Sequence, residues 1–234
     1  MTRAQNRILD LEELSRPSFS RVVWEMKAMS DREDVSYLHP SKEWEYPWAL
    51  ERASLEPGLR ILDAGCGASI FPVFLSAKGY EVSGVDRELP AGLDRMHDVN
   101  VEYVQGDLAS LPYEAEIFDR VFCISVIEHL DPLWIPAAVQ ELRRVLKTGG
   151  LLLMTTDFCA DAGEAMWYSG PGEPFPVDWH VFDFGLLERF LLHAPGLAVV
   201  GDRDFGVDWE EIRPRMQEFH GYPYTSVGVA FRKV

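Results

Sequence analysis

The sequence is poor in cysteine and in basic residues, and it lacks any long apolar run. Its three cysteines are Cys66, Cys123 and Cys159. They are far apart, odd in number and form no CxxC pair, which argues against a disulfide scaffold or a zinc ribbon and fits a reducing cytosol. No apolar run approaches the roughly 18 residues that a membrane-spanning helix needs, and the first residues do not resemble a signal peptide. We therefore expect a cytoplasmic protein with no membrane partner.

Acidic residues outnumber basic ones. The 234 residues include 22 Lys and Arg against 38 Asp and Glu, so the formal net charge is −16. Nucleic acids are bound largely by Lys and Arg that neutralise phosphates, so this balance argues against a nucleic-acid partner. Hydrophobic residues make up 47% and charged residues 26%, which is the ordinary mixture of a globular domain.

Short apolar runs alternate with helical patterns from residue 60 onwards. Seven runs read as strands, at 60–64, 80–86, 101–107, 119–125, 150–157, 197–200 and 226–231. Helical patterns lie among them, at 70–78, 135–147 and 186–193. Strands that are buried on both faces and alternate with helices predict an α/β fold. We expect a doubly wound, mostly parallel, seven-stranded sheet with helices on both faces.

We predict a single domain with four parts. Residues 1–56 form an N-terminal helical cap, 57–157 the core, 158–184 an insertion and 185–234 the C-terminal part of the sheet. A segment of about 25 residues without periodicity, such as this insertion, is usually functional or disordered. Aromatic residues crowd the insertion and part of the cap: Trp167, Tyr168, Phe175, Trp179, Phe182, Trp44, Tyr46 and Trp48. They either cover apolar surface or form a lid over an apolar or aromatic small molecule.

The segment LDAGCG (62–67) follows the first predicted strand. Gly65 and Gly67 let the backbone turn sharply and approach a ligand closely. A dinucleotide fingerprint would need a third glycine at position 70, where the sequence has Ile70. Asp63, at the end of the strand, would repel a pyrophosphate but suits a cofactor that carries an ammonium and a sulfonium. The charges therefore favour S-adenosylmethionine (SAM) over NAD.

Two further aspartates end the next two runs. Asp86 ends the second run, where a carboxylate can accept hydrogen bonds from both ribose hydroxyls. Asp107 ends the third run, and with Leu108 it could hold an adenine edge by one hydrogen bond and one apolar contact. Three strand-terminal aspartates at these spacings are much more specific than the glycines alone.

These motifs resemble those of class I SAM-dependent methyltransferases, and they cover about residues 60–157. LDAGCG, GVD, GDLASLP, FDRVFCISVIEHL and ELRRVLKTGGLLLMTT follow one another, closest in style to the type 11 group that includes ubiquinone- and menaquinone-pathway enzymes. The resemblance implies a Rossmann-like fold and SAM as cofactor. It places Asp63, Gly65 and Gly67 at the methionine part, Asp86 at the ribose, Asp107 and Leu108 at the adenine, and Ile124, Ser125 and Val126 beside the methionyl portion. We also expect Ala64, Cys66 and Arg87 to bind the cofactor.

The residues that would catalyse the reaction are less clear. His129 follows the fourth run, where the family places the reacting methyl group, and His180 lies in the insertion that should cover the same site. Each is a candidate general base, because a histidine pKa suits pH 7, and each is equally an orienting or packing residue. The sulfonium is already a reactive leaving group, so a base is needed only when the acceptor holds a proton. The histidines show no ligand spacing, and no metal is expected.

The predicted activity is transfer of a methyl group from SAM to an O, N or C atom of a small molecule. A protein or peptide methyltransferase would need an open groove, whereas the insertion reads as a cover. A SAM-binding subunit without turnover is an alternative that the cofactor motifs alone do not exclude. A nicotinamide-dependent reductase is a third, against which Ile70 and Asp63 argue.

Overall fold

The computed structural model describes residues 4–33, 39–89, 100–160, 167–170 and 177–234. No helix within these ranges has the length and apolar character needed to cross a membrane. Short 3-10 turns at Leu11–Ser15 and Ile127–His129 and a π-helical turn at Glu188–Leu192 supplement the main elements. In chain order the helices and strands are β1 (Asn6–Ile8), α1 (Pro17–Glu33), α2 (Lys42–Arg52), β2 (Arg60–Ala64), α3 (Phe71–Ala77), β3 (Glu81–Asp86), β4 (Val101–Gln105), β5 (Phe118–Ile124), α4 (Ile135–Val145), β6 (Leu146–Phe158), β7 (Trp167–Gly170), β8 (Val177–His180), α5 (Phe184–Leu187), β9 (Leu197–Val199), β10 (Arg203–Asp204), α6 (Trp209–His220) and β11 (Thr225–Lys233).

The main sheet has the order β10-β1-β11-β6-β5-β2-β3-β4, and β9 also pairs with β11. Strands β4, β3, β2, β5 and β6 are parallel neighbours. Strand β11 runs antiparallel to β6 from Thr225, opposite Phe158, to Arg232, opposite Leu151. The chain leaves β2 in one direction for β3 and β4, and returns on its other side for β5 and β6. The predicted α/β fold with a mostly parallel, doubly wound sheet is confirmed.

The predicted number of strands, seven, is wrong, because the main sheet of the described residues has nine. The two additional strands, β1 and β10, are three and two residues long, too short to show an alternating pattern in the sequence. Asn6 holds them in place: its side-chain amide donates to the carbonyl oxygens of Val200 (2.8 Å) and Asp202 (2.9 Å) and accepts from the N–H of Ala230 (2.7 Å). One buried amide thus ties the edge of the sheet together.

Helix α4 shows how the sequence pattern positions a helix. Five apolar residues recur at helical spacing and are all buried: Ile135, Ala138, Val139, Leu142 and Val145. A proline stands in the first turn, where the missing N–H has no intrahelical partner to lose. The helix ends two residues before the predicted position, because the chain passes directly into β6. The predicted helix at 186–193 forms as α5 followed by the π-helical turn.

The two faces of the sheet carry separate hydrophobic clusters. Leu62 points into the cluster that contains α4, and its neighbour Ile61 points into the cluster that contains α2 and α3. Trp44 and Trp48 of α2 are fully buried in the second cluster. The ring of Trp48 lies against Gly228 of β11, where an added Cβ would come within 2.6 Å of the indole. These two tryptophans therefore pack the N-terminal part of the chain onto the sheet.

The insertion contains regular structure that the sequence did not indicate. Strands β7 and β8 pair antiparallel, with Trp167 opposite His180 and Gly170 opposite Val177. Strands of four residues are too short to show a clear alternation of apolar and polar residues in the sequence. Phe182 is fully buried in the main core. Phe175 and the side chains of Trp167 and Tyr168 lie outside the described residues.

Candidate active site

A cavity of about 590 Å³ opens at the carboxyl ends of β2, β5 and β6. Asp63 comes from β2, Ser125 follows β5 and Asp157 lies in β6. Lys42 of α2 and Tyr222, after α6, complete its walls from distant parts of the sequence. In open α/β sheets, ligands bind at the carboxyl edge where the strand order reverses. The cavity lies at that position, between β2 and β5.

The turn after β2 is built to bring backbone close to a ligand. Gly65 has φ +80° and Gly67 has φ +49°, a left-handed conformation that favours glycine. The N–H groups of Gly65 (2.7 Å) and Cys66 (3.1 Å) both donate to the carbonyl oxygen of Val85. A Cβ on residue 65 would lie 2.4 Å from Cγ1 of Val126. Only glycine fits at position 65, because both the backbone angle and the available space exclude a side chain.

Asp63 is buried, at 4% exposure, and lines the cavity. Within the described ranges, no group donates a hydrogen bond to its carboxyl group. Burial and then the nearby Asp86 carboxylate raise the pKa of Asp63 to about 8, against the attraction of the Lys42 ammonium. A buried carboxyl group that faces open space and lacks a partner fits the ammonium of a methionine moiety, since an opposite charge favours its ionised form.

The residues predicted to bind ribose and adenine lie beside this cavity rather than on its walls. Asp86 ends β3, and its Oδ2 accepts from the N–H of Gly67 at 2.8 Å, which joins the ribose position to the glycine turn. Arg87 follows it and is exposed. Asp107 is exposed and accepts from the N–H of Ala109 at 2.8 Å. Leu108 is buried in the core cluster.

Ser125 occupies a strained backbone position at the end of β5. Its φ is +52°, which a non-glycine residue adopts only where surrounding contacts hold it. Its N–H donates to the backbone oxygen and to Oγ1 of Thr155, both at 3.1 Å. Its hydroxyl donates to Oε1 of Glu45 at 2.7 Å. Ile124 and Ser125 line the cavity. Val126 does not line it but packs next to Gly65. Ala64 is fully buried.

The two candidate histidines lie in different surroundings. His129 lines the cavity and is exposed at its rim, with its ring 6.4 Å from that of Trp179. His180 is fully buried and does not line the cavity; its ring stacks on Phe182 at 5.1 Å. Burial lowers the pKa of His180, which favours the neutral ring. The structure thus brings His129 to the cavity but not His180.

A buried ion pair from α2 forms one side of the cavity. Nζ of Lys42 lies 2.5 Å from Oε2 of Glu45, and Glu45 is fully buried. Burial would raise the pKa of Glu45, but the charge of Lys42 and hydrogen bonds from Lys42, Ser125 and Ser226 hold it below its ordinary value. Glu45 therefore stays ionised and paired, and the pair fastens α2 to the ends of β5 and β11.

Two further carboxyl groups, Glu128 and Asp157, lie on the cavity wall. Glu128 is 1% exposed and accepts from the hydroxyl of Thr156 at 3.1 Å. Asp157 accepts from the hydroxyl of Tyr224. Burial raises the pKa of Glu128 to about 7. Burial, with repulsion from Glu128, also raises the pKa of Asp157 well above its ordinary value.

Aromatic rings close the remaining side of the cavity. The rings of Tyr222 and Tyr224 stack at 5.3 Å, and Trp179 meets Tyr222 edge-on at 5.6 Å. His39 contributes from the N-terminal part of the chain, with its ring 5.1 Å from that of His220. Of the aromatic residues predicted to form a lid, Tyr46 and Trp179 line the cavity.

Sequence reasoning missed several of these wall residues. Asp157 ends the fifth predicted run and could have been found by the same rule that selected Asp63, Asp86 and Asp107. Lys42 and Glu45 gave no signal, because they are brought to the cavity only by the packing of α2. The tyrosines after α6 reach it through a turn that no motif marks. Among the described residues, no cluster of three or more His, Cys, Asp or Glu side chains is arranged to hold a metal ion.

Known proteins share both the motifs and the fold. Residues 62–154 match the family model described as Methyltransferase domain. The chain is 34% identical over 134 residues to the ubiquinone biosynthesis O-methyltransferase of Pseudomonas putida (strain GB-1), covering 54% of this chain and 56% of that protein. It is 39% identical over 126 residues to the protein of the same name from Hahella chejuensis (strain KCTC 2396), covering 51% of each. The chain thus spans about half the length of the curated relatives it matches.

A solved structure supports the fold over a longer span. The crystal structure of Burkholderia thailandensis 1,6-didemethyltoxoflavin-N1-methyltransferase, with bound 1,6-didemethyltoxoflavin and S-adenosylhomocysteine, has a TM-score of 0.60 at 19% identity and covers 97% of this chain and 91% of that chain. Fold and site therefore define a Rossmann-like α/β domain with its ligand cavity at the switch point. More particularly, residues 62–154 match the model of a methyltransferase domain, which confirms the resemblance found in the sequence.

Proposed function

We propose that this protein transfers a methyl group from SAM to an O, N or C atom of a small-molecule acceptor. The observation that carries the proposal is Asp63, a buried carboxyl group without a hydrogen-bond donor in the described chain, beside a turn that only glycine can form at Gly65. Together they make a compact recess for a cationic amino-acid end. A pyrophosphate would meet the same carboxyl group and be repelled.

The positions of these residues support the following proposed cofactor-binding roles. Asp63 accepts from the methionyl ammonium, and the turn formed by Ala64, Gly65, Cys66 and Gly67 approaches the methionine part. Ile124, Ser125 and Val126 flank it from the end of β5. On the far side of the turn, Asp86 with Arg87 holds the ribose, and Asp107 with Leu108 holds the adenine. The hydrogen bond between Gly67 and Asp86 fixes these two halves relative to one another.

The chain's main contribution to the rate is to position the acceptor and exclude water. Bound SAM supplies a methyl group on a sulfonium, a leaving group reactive enough that alignment and desolvation lower much of the barrier. Trp179, Tyr222 and Tyr224 form an apolar wall opposite the strand ends. That wall suits the flat or apolar face of a small molecule, while the carboxyl groups contact its polar end.

A small acceptor agrees with both the cavity and the relatives. A volume of about 590 Å³ lies within the usual range of small-molecule pockets, and it must hold part of the cofactor as well as the acceptor. The curated relatives named above are O-methyltransferases of ubiquinone biosynthesis. Their names support a hydroxyl-bearing acceptor as the first compounds to test, with catechols as the simplest probes.

Calorimetry with S-adenosylhomocysteine (SAH), SAM and NADH tests the proposal. We expect SAH and SAM to bind and NADH not to bind. Asp63→Asn removes the charge that faces the ammonium, so SAH affinity should fall about 10- to 100-fold, as for loss of a charge-assisted hydrogen bond. Asp31→Asn, on an exposed position of α1, is the matched control and should bind as the unchanged protein does. Binding of NADH without SAH would contradict the proposal.

A further inference from the structure

Glu128, in the 3-10 turn after β5, and Asp157, in the neighbouring strand β6, face the same cavity. Strands β5 and β6 are parallel, with Ile124 opposite Thr155, so the residues that follow these positions emerge at the same edge. Both carboxyl groups line the cavity. No ion pair within the described ranges involves either of them. They are thus two acidic groups at the place where an acceptor must lie, with no fixed cation between them.

The Lys42 ammonium, which lines the cavity, already forms an ion pair with Glu45. Nζ of Lys42 lies 2.5 Å from Glu45, which also accepts from Ser125 at 2.7 Å. Among the described residues, the hydrogen bonds to these two carboxyl groups come from neutral donors: the hydroxyl of Thr156 and a backbone N–H at Glu128, and the hydroxyl of Tyr224 at Asp157. A neutral hydrogen bond orients a carboxyl group but stabilises its charge less than an ion pair does. Both groups are therefore free to exchange a proton with a ligand.

Neighbouring charges act on this pair from every side. Burial raises the pKa of both groups, and repulsion from the Glu128 carboxylate raises the pKa of Asp157 further. Two close carboxyl groups in a site of low polarity keep one proton between them over a wide pH range. The titratable and charged groups that face the pair are Lys42 and Glu45 of α2, Asp63 of β2, Cys123 of β5, His129 after β5, His180 of β8 and Tyr224 before β11.

We propose that Glu128 and Asp157 share one proton and act as the general base that removes the proton of the methyl acceptor. This inference rests on the proposed methyl transfer and names its acceptor class. The class comprises compounds with an ionisable O–H or N–H, and it excludes thioethers and tertiary amines, which carry no such proton. His129, exposed at the rim, and His180, off the cavity, are less suited to this role.

The step balances within the site. The O–H or N–H bond of the acceptor breaks, and its proton passes to the ionised member of the pair. The freed electron pair forms the new bond to the methyl carbon, and the electron pair of the breaking carbon–sulfur bond stays on sulfur. The pair is then doubly protonated, and it returns one proton to water before the next turnover.

Carbon-13 NMR of the side-chain carboxyls, in protein saturated with SAH, tests proton sharing without any acceptor. We expect Glu128 and Asp157 to titrate in two separate steps, with one proton retained above pH 6.5. Glu128→Gln or Asp157→Asn should lower the pKa of the remaining carboxyl group, because its charged neighbour is gone. Titration of both groups below pH 5 would overturn the proposal. Failure of the proposed function would show differently, as absence of SAH binding in calorimetry.

Turnover with labelled SAM, using catechol and benzylamine as probes, gives the second measurement. Asp157→Asn should lower kcat about 100-fold or more at pH 7, as for loss of a general base, and should leave SAH affinity within threefold. Asp157→Glu should restore part of kcat and shift the pH profile. Glu210→Gln, on the exposed face of α6, is the control. A double Glu128→Gln, Asp157→Asn variant with unchanged rate and pH profile would also overturn the proposal. If neither probe is methylated, the carboxyl titration alone decides.

Discussion

The two ends of the cavity are built in different ways. The proposed cofactor end consists of backbone and a carboxyl group from one short stretch, Asp63 to Gly67, with Asp86 of the next strand beside it. The proposed acceptor end is formed by side chains from α2, β6, β8, the residues that follow β5 and the segment after α6. A backbone turn tolerates almost no substitution, whereas a wall of side chains can change one residue at a time. The first end is thus suited to a constant ligand and the second to a variable one.

Gly65→Ala should break the cofactor end most severely. A Cβ there would lie 2.4 Å from Val126 at φ +80°, so the turn must move, and SAH affinity should fall more than 100-fold, about 3 kcal/mol or more. Calorimetry measures this loss. Gly58→Ala is a matched control, since φ is +82° but nothing lies within 4 Å. This variant has the same unfavourable backbone conformation for alanine but no steric clash, so SAH affinity should stay unchanged. Equal losses in both variants would show that the clash with Val126 does not matter.

Trp179→Ala should affect the acceptor end alone. The indole lines the cavity and packs edge-on against Tyr222 at 5.6 Å, so its removal takes away apolar contact with the acceptor. We expect KM for catechol to rise about tenfold, the equivalent of one lost aromatic contact, while SAH affinity stays within twofold. Trp134→Ala, at 60% exposure, should change neither quantity. A parallel loss of SAH affinity would mean that the two ends are not independent.

The pH dependence of SAH binding should be a smaller effect than those of the two substitutions, and it tests the cofactor end of the cavity. The pKa of Asp63 is about 8 in the folded protein, against 3.8 ordinarily, so the folded state retains a proton that the unfolded state has lost. The free energy of unfolding therefore falls as pH rises from about 4 to 8. A bound ammonium lowers this pKa, so SAH binding near pH 7 should release a fraction of a proton, and the affinity should rise a few-fold between pH 6 and 8.

Calorimetry in buffers of different ionisation enthalpy counts that proton. Asp63→Asn should abolish its release, whereas Asp31→Asn should not. Urea unfolding at pH 5 and pH 8, with and without SAH, measures the matching change in stability. Proton uptake in place of release would contradict the assignment of Asp63 to the ammonium.

The sequence was informative where function depends on contiguous residues. The order of strands and helices, the turn at Gly65 and the strand-terminal Asp63 and Asp86 could all be read from local patterns. Strands β1 and β10 could not, because they are only three and two residues long and are held in the sheet partly by the side chain of Asn6. Patterns with a period need more residues than these strands have.

The acceptor end was harder to foresee for a physical reason. Lys42 and Glu45 are separated from Asp157 by more than a hundred residues, and only the packing of α2 through Trp44 and Trp48 brings them together. The sequence drew attention to those tryptophans but not to the charged residues beside them. The preference for histidines as bases reflected their ordinary pKa. Burial raises the pKa of Glu128 to about 7, so a carboxyl group matches that range here, which composition alone does not reveal.

The amide of Asn6 has a consequence for how the molecule assembles. It connects β1 to Val200, Asp202 and Ala230, contacts that span most of the chain length. Such non-local pairing forms late, since loop closure must precede it. During synthesis on the ribosome, the parallel strands can associate first, because β1 can pair only after β11 has been synthesised. The acceptor pocket, which needs α2 seated beside that strand, is therefore among the last features to mature.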